Sequence, residues 1–370
     1  MSPSAIFNRQ HTVYRFPSQL FMLVHQFRSD AALEAIRSAS EIKTPNLVLY
    51  NYPSFSGAYG ALFAYLYHSR LNLPCLILPF SAVAPFRIED LCIEGMRTCY
   101  FLDFLGPEGF ALELSRRTTS KVILFDHRKS VLSRVSTRQS SDTNLTYYVN
   151  TKISSSTAAY EYFAAKLLET GFGNEDRLTL LNHEDRERVD IVLKYIEDGD
   201  LRRWSLPDIN EFNIGLKEWR SKLNCITNPC MYEQLMGICS ADLITSGKTY
   251  VSSRHADAKK LLHKVFRVQL GRGVYGECLG VRADGSSDLS DEIGKELSRM
   301  SAEAGLRPIG AVIYMQRKNL KMCLRTIDSA TNTSEIAKAY GGGGSPSSSS
   351  FIIRMDEYNQ WLSIQSSPVR

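Results

Sequence analysis

Several residues able to bind divalent metal or move protons stand at the ends of short apolar runs. Asp103 follows Thr98-Cys-Tyr-Phe-Leu102, and Asp126 and His127 follow Lys121-Val-Ile-Leu-Phe125. An acidic cluster, Glu197-Asp198-Gly199-Asp200, closes a helix expected from His183 to Glu197. If Asp103, Asp126, His127 and either Asp198 or Asp200 converge, they form a carboxylate set with one imidazole. Magnesium and manganese favour such donors. Two such ions about 3.5–4 Å apart can activate water and clamp a phosphoryl group. The plainer alternative is that Asp103 and Asp126 only cap the turns that follow them.

A second constellation lies late in the chain. Gly341 to Gly344 form a four-glycine run, followed by Ser345 and Pro346. Glycine lets a backbone approach a ligand closely, and exposed amides can hold phosphate oxygens. A flexible linker has the same composition. The run lies between a short helix and the apolar strand Phe351 to Ile353, which argues for a folded setting. Arg325, ending a predicted strand, could supply a cation to the same phosphate or stay solvated.

The elements that must position these groups follow from periodicity. Apolar runs at 46–50, 75–80, 98–104 and 121–125 are separated by mostly helical material. That alternation predicts strand–helix units and a buried parallel sheet. Ligands of open parallel sheets sit at strand carboxyl ends. Here those ends offer Asn51, Ser54 and Ser56, then Asp103, then Asp126, His127 and Arg128. Ser133 to Asn150 reads as an exposed connection, and Ser154 to Gly171 as a helix capped by one of Ser154, Ser155 and Ser156. From about 265 a smaller mixed α/β domain is expected. The fold class is therefore α/β, an N-terminal parallel-sheet domain followed by the smaller one. The expected parts are an N-terminal extension at 1–43, the first domain at 44–205, a mainly helical connector at 206–264, the second domain at 265–363 and a tail at 364–370.

Composition sets outer bounds. The chain has 370 residues, 44% hydrophobic and 22% charged, which excludes a wholly disordered chain. Lys and Arg total 44 against 39 acidic residues, a net +5. That permits a phosphate-bearing ligand without demanding DNA. The eight cysteines form no Cys-x-x-Cys pair, so buried free thiols are expected rather than a zinc ribbon. No apolar run is long enough for a membrane span. Met1 to Ser29 carries arginines and serines but no acid, which reads as a mitochondrial or plastid transit segment or as a frayed start to a cytoplasmic protein.

The ordered set of Asp103, Asp126-His127, Ile196-Glu-Asp-Gly-Asp-Leu201 and Ala339-Tyr-Gly-Gly-Gly-Gly344 resembles the Asp-His-His (DHH) phosphoesterase superfamily, with its DHH-associated C-terminal domain and in its plant-type branch. The resemblance runs from about Pro45 to Trp361. It implies two lobes with the active site in the cleft between them. The first lobe would hold two divalent metals, usually manganese, and the second the substrate phosphate or base. Substrates would be phosphodiesters or phosphoanhydrides, such as short oligonucleotides, cyclic dinucleotides or pyrophosphate.

The sequence departs from that pattern at the ligands. Asn51 stands near an expected His, and Ser54 and Ser56 stand where Asp is expected. Arg128 replaces the last His of Asp-His-His, and Ser345 the His that closes the glycine run. Fixed positive charge at Arg128 and the loss of two carboxylates predict that no paired-metal centre forms, with room for one divalent cation at most. Asp103, Asp126, His127, Asp198 and Asp200 are the residual metal candidates, and Asp103 and His127 the catalytic ones. Arg128, Arg325, Gly341 to Gly344 and Ser345 are the phosphate candidates. The expected function is a catalytically degenerate phosphoesterase-like protein that binds a nucleotide or short single-stranded nucleic acid. A phosphodiesterase with an altered metal shell and a non-catalytic scaffold for a protein partner or homodimer are the alternatives.

Overall fold

The computed structural model describes residues 29–136, 144–170 and 179–362. The expected targeting segment and the C-terminal tail lie outside these residues, save for residue 29. The chain divides into two compact units between Leu243 and Ile244, inside the stretch expected to be a connector.

The first unit opens with α1 (Asp30–Glu41), β1 (Asn46–Asn51), α2 (Phe55–Arg70), β2 (Cys75–Phe80) and β3 (Thr98–Leu102). It continues through α3 (Phe110–Thr118), β4 (Lys121–Asp126), α4 (Leu132–Ser136), β5 (Leu145–Val149), α5 (Ser155–Glu169) and α6 (His183–Asp200). Then follow α7 (Ile209–Lys217), α8 (Met231–Met236) and the start of α9 (Ser240–Leu262). All five strands are parallel, in the order β2-β1-β3-β4-β5. The strand order reverses between β1 and β3, which opens a crevice at their carboxyl ends.

Both faces of this sheet are covered. Leu47, Leu49, Phe101, Val122 and Leu124 pack with Ala32 and Ile36 of α1 and Leu114 of α3. On the opposite face, α2 packs on β1, β2 and β3 and against α5. Every residue of α2 from Phe55 to Ala64 is buried, as expected of a helix enclosed on all sides. Small residues permit the close approach. A Cβ on Gly57 would lie 2.4 Å from the Asn51 carbonyl oxygen, and one on Gly60 3.3 Å from Leu102.

Ser133 to Asn150, expected as an exposed connection, instead contains α4 and the edge strand β5. Leu145-Thr-Tyr-Tyr-Val149 is only half-buried, so it lacks the apolar run that marks the inner strands.

The second unit holds β6 (Phe266–Gln269), β7 (Glu277–Arg282), α10 (Ser290–Glu303), β8 (Gly310–Gln316), β9 (Asn319–Arg325), α11 (Thr333–Ala339), β10 (Gly343–Ser345), β11 (Ser348–Ile353) and α12 (Met355–Asn359). Its sheet runs β10-β11-β9-β8-β7-β6, antiparallel except for the β7–β8 pair. Ile293 and Leu297 of α10 pack with Val281 and Val312 on one face. Met322, Leu324, Phe351 and the fully buried Trp361 fill the other.

Candidate functional site

The carboxyl ends of β1, β3 and β4 bring Asn51, Ser54, Asp103, Asp126, His127 and Arg128 together. Asp103, the first residue beyond β3, is buried and holds a left-handed backbone, φ +69°. Aspartate tolerates that region better than most residues. Its Oδ2 accepts from the Asn51 amide at 2.9 Å and from the Ser54 hydroxyl at 2.5 Å. Ser54 is also the N-cap of α2, accepting from the Gly57 amide at 3.3 Å. One hydroxyl thus starts a helix and fixes a carboxylate.

Asp126 is held by its neighbour. Arg128 donates from Nε to Oδ1 at 2.9 Å and from Nη2 to Oδ2 at 3.1 Å, and its backbone amide reaches Oδ1 at 3.0 Å. The same Nη2 donates to the Asp103 carbonyl oxygen. Nη1 makes no hydrogen bond among the described residues, and 42% of the Arg128 side chain is exposed. Arg128 therefore bridges the ends of β3 and β4 and keeps Nη1 free of the described residues.

His127 places Nδ1 2.9 Å from the Ser155 hydroxyl and 3.3 Å from Asp103 Oδ1. The second approach lacks hydrogen-bond geometry, so Oδ1 is a buried acceptor without a hydrogen bond. Burial alone would lower the pKa of His127, but Asp103, Asp200 and Asp126 outweigh it and raise it above the ordinary imidazole value. Burial pushes Asp103 the other way, towards neutrality. His127, Arg128 and Ser54 more than offset it and hold the carboxyl below the usual range.

Asp200, at the end of α6, accepts from the Ser56 hydroxyl, which lies 3.2 Å from Ser156 Oγ. Burial, with the Asp103 charge as a second cause, pushes its carboxyl up to about 6. Asp198 points elsewhere. Its carboxylate receives the Ser205 amide at 3.0 and 3.2 Å and the Ser205 hydroxyl. Residues two apart on a helix lie on different faces, so only one of the two aspartates can face Ser56.

Ser155 and Ser156 belong to this constellation although the sequence offered them only as helix caps. Ser154 is the cap, accepting from the Thr157 amide at 3.2 Å. Glu197 of α6 ties that helix start down, with Oε2 receiving the Ser154 amide and the Thr157 hydroxyl, each at 2.9 Å. A triple serine at the start of an expected helix was the available signal.

Among the described residues one group of three could hold a metal: Asp103, Asp126 and His127, with ligand atoms within 4.8 Å of one another. The unbonded Oδ1 of Asp103 fits a single cation. Asp126 fits it only if the Arg128 guanidinium moves away.

The other phosphate candidates lie in the second unit. Arg325 pairs with Asp291 of α10 at 3.0 Å. The Gly341 and Gly342 amides donate to the Lys338 and Ala337 carbonyls, closing α11. Gly343, Gly344 and Ser345 form β10, paired with Ser350, Ser349 and Ser348 of β11. A Cβ on Gly342 would lie 2.2 Å from the Ser350 carbonyl oxygen, and Gly344 has φ +141°. Strand packing thus demands glycine at both positions without any ligand. Ser345 is exposed, its hydroxyl 3.4 Å from Ser347 Oγ.

No protein-family model and no curated protein sequence matches the chain. Solved structures similar to it include an exopolyphosphatase-related protein from Bacteroides fragilis, with 12% identity, TM-score 0.32 and 90% of this chain and 94% of that one covered. A pGpG-specific phosphodiesterase, PggH from Vibrio cholerae, has 11% identity, TM-score 0.36 and coverages of 85% and 95%. RecJ from Thermus thermophilus, in complex with manganese, has 13% identity, TM-score 0.33 and coverages of 92% and 56%. At such identities and scores these likenesses decide nothing about chemistry, which has to be read from this chain's own residues.

Proposed function

We propose that this protein is a phosphoesterase-like member of the DHH superfamily in which a guanidinium has taken a cation's place. It binds a phosphate-bearing ligand, a nucleotide or short oligonucleotide, without two-metal hydrolysis. The observation that carries this reading is the double contact of Arg128 with Asp126 and with the Asp103 carbonyl oxygen.

Charge arithmetic supports it. Asp103, Asp126 and the nearby Asp200 bring at most three negative charges, and Arg128 brings one fixed positive charge. Asn51 and Ser54 hydrogen-bond Asp103 where the resemblance expects metal ligands. Two dications so close together repel strongly unless several carboxylates surround them. The free Nη1 of Arg128, beside an imidazole that gains a proton readily, suits a phosphate oxygen instead.

A second reading rests on Asp103 Oδ1. That buried acceptor, with His127 and Asp126, could hold one manganese or magnesium ion displacing Arg128. Bound there, the ion would supply a polarising charge to a phosphoryl oxygen.

Equilibrium binding of pyrophosphate and adenosine monophosphate, without divalent metal, separates the readings. Arg128→Lys keeps a counter-charge for Asp126 but loses the planar fork. We expect the wild type to bind and Arg128→Lys to bind about ten-fold more weakly. Wild-type binding that requires manganese, with turnover, would contradict the metal-free reading.

A further inference from the structure

The chain leaving α6 carries backbone strain and an unusual display of side chains. In Leu201-Arg-Arg-Trp-Ser-Leu-Pro-Asp208, Arg202, Trp204 and Asp208 have φ values of +55°, +51° and +54°. A bulky residue such as tryptophan rarely adopts that region, and each such residue costs about 1–3 kcal/mol. The conformation is tied down from within the same unit. The Arg203 amide donates to the Asp198 carbonyl at 2.9 Å, and Ser205 binds the Asp198 carboxylate. The Arg203 guanidinium reaches Glu197 Oε1 at 3.2 Å and the Lys152 carbonyl. The Tyr195 hydroxyl donates to the Pro207 carbonyl at 3.0 Å.

What these ties hold in place is an outward-facing indole. Trp204 is 53% exposed, whereas Trp361 is fully buried and Trp219 is half-buried beside Lys222. Trp204 makes no hydrogen bond or ring contact among the described residues. Arg202 beside it is exposed and has no ion-pair partner among them, and Lys152 is exposed too. The segment begins directly after Asp200, whose carboxylate is hydrogen-bonded to Ser56. Lys152 follows the carboxyl end of β5. A rigid aromatic face flanked by exposed cations, leaving the carboxyl-end side of a parallel sheet, matches single-stranded nucleic acid. The ring stacks a base and the cations take the phosphates.

We infer that Trp204 and Arg202 form a stacking subsite for one base and its phosphate of a single-stranded oligonucleotide. The inference rests on the proposed function in taking the ligand to be phosphate-bearing. It adds that the ligand extends beyond a mononucleotide, and it names the residues that recognise the extension.

The test is tryptophan fluorescence and equilibrium binding with an oligoadenylate of about six nucleotides, within known single-strand site sizes. The wild type should bind with quenched emission. Trp204→Ala should bind about 5- to 150-fold more weakly. Trp204→Phe should keep most of the affinity but lose the quench. Arg202→Ala should lower the salt dependence by about one phosphate contact. Trp204→Gly, which relieves the positive φ, should be as stable as the wild type or more so while binding weakly. A purely structural tryptophan would not give that combination. Unchanged affinity in Trp204→Ala, or no binding of the oligonucleotide by the wild type, overturns the inference. Mononucleotide binding weakened in Arg128→Lys would still stand for the proposed function in either case. Conversely, oligonucleotide binding that depends on Trp204 but not on Arg128 would leave this subsite and overturn that reading.

Discussion

The carboxyl ends of β1, β3 and β4 and the glycine hairpin of β10 and β11 look alike in sequence, since each joins polar or glycine residues to apolar strands. In the structure they differ in kind. At the strand ends of the first unit, two buried carboxylates are compensated by less buried cationic partners: Asp103 by the half-buried His127, and Asp126 by the partly exposed Arg128. In the hairpin, backbone packing alone accounts for Gly342 and Gly344, and the nearby Arg325 has a surface partner in Asp291. Buried, mutually dependent charge is the better pointer to chemistry, because such an arrangement is costly to form and packing does not require it.

The largest expected effect comes from Gly57, which lets α2 approach the end of β1 that carries Asn51. Gly57→Ala forces a Cβ against the Asn51 carbonyl oxygen, so it should destabilise the protein by about 3 kcal/mol in urea unfolding. Gly343→Ala, with nothing within 4 Å of the added carbon, should shift stability by less than about 0.5 kcal/mol. Equal effects would erase the contrast.

Next in size is a comparison of the two arginines. Arg128→Ala leaves the buried Asp126 carboxylate without its counter-charge and should cost about 2–3 kcal/mol, allowing for the partial exposure of Arg128. Arg325→Ala removes a pair whose aspartate is 55% exposed and should cost less than about 1 kcal/mol. Paired unfolding curves of the two variants measure this directly.

A smaller effect lies in the pH dependence of two histidines of the first unit. His68 is buried among Tyr67, Tyr100 and Phe163, and its Nε2 has no hydrogen bond. Burial, only partly offset by the Ala64 carbonyl, lowers its pKa from 6.5. The unfolded chain therefore binds a proton at His68 before the folded one does. Stability should fall as pH drops below about 6.5. His127 has the opposite sign. Its raised pKa makes its contribution fullest below the unfolded value and lost as pH rises through the folded value. Subtracting the stability–pH curves of His68→Gln and His127→Gln from that of the wild type should give slopes of opposite sign. Slopes of the same sign would show that one of the two environments is misassigned.

Much of this site was legible in the sequence because the inner strands of a covered parallel sheet are apolar throughout. Their ends are therefore abrupt, and Asn51, Asp103 and Asp126 stand at those ends. The edge strand β5 was not legible. Half-exposed, with threonine and two tyrosines, it merges into the Ser/Thr-rich stretch before it. The choice between Asp198 and Asp200 needed the helix phase, and α6 runs three residues beyond the end expected at Glu197. Ser54 was visible as a polar residue at a strand end and Ser155 as a helix-cap candidate, but the partners of their hydroxyls, Asp103 and His127, come from the ends of β3 and β4. The glycine run is ambiguous for a physical reason: close backbone approach to a neighbouring strand and to a ligand both select glycine.

If Arg128 occupies a cation's place between Asp103 and Asp126, as proposed, paired metal ions cannot settle there. A crystal structure grown in excess manganese, with anomalous scattering to locate the metal, tests it most directly. The expected electron density shows the guanidinium on Asp126 and fewer than two ions beside it. Two bridged manganese ions at Asp103 and Asp126, with Arg128 swung into solvent, would contradict it.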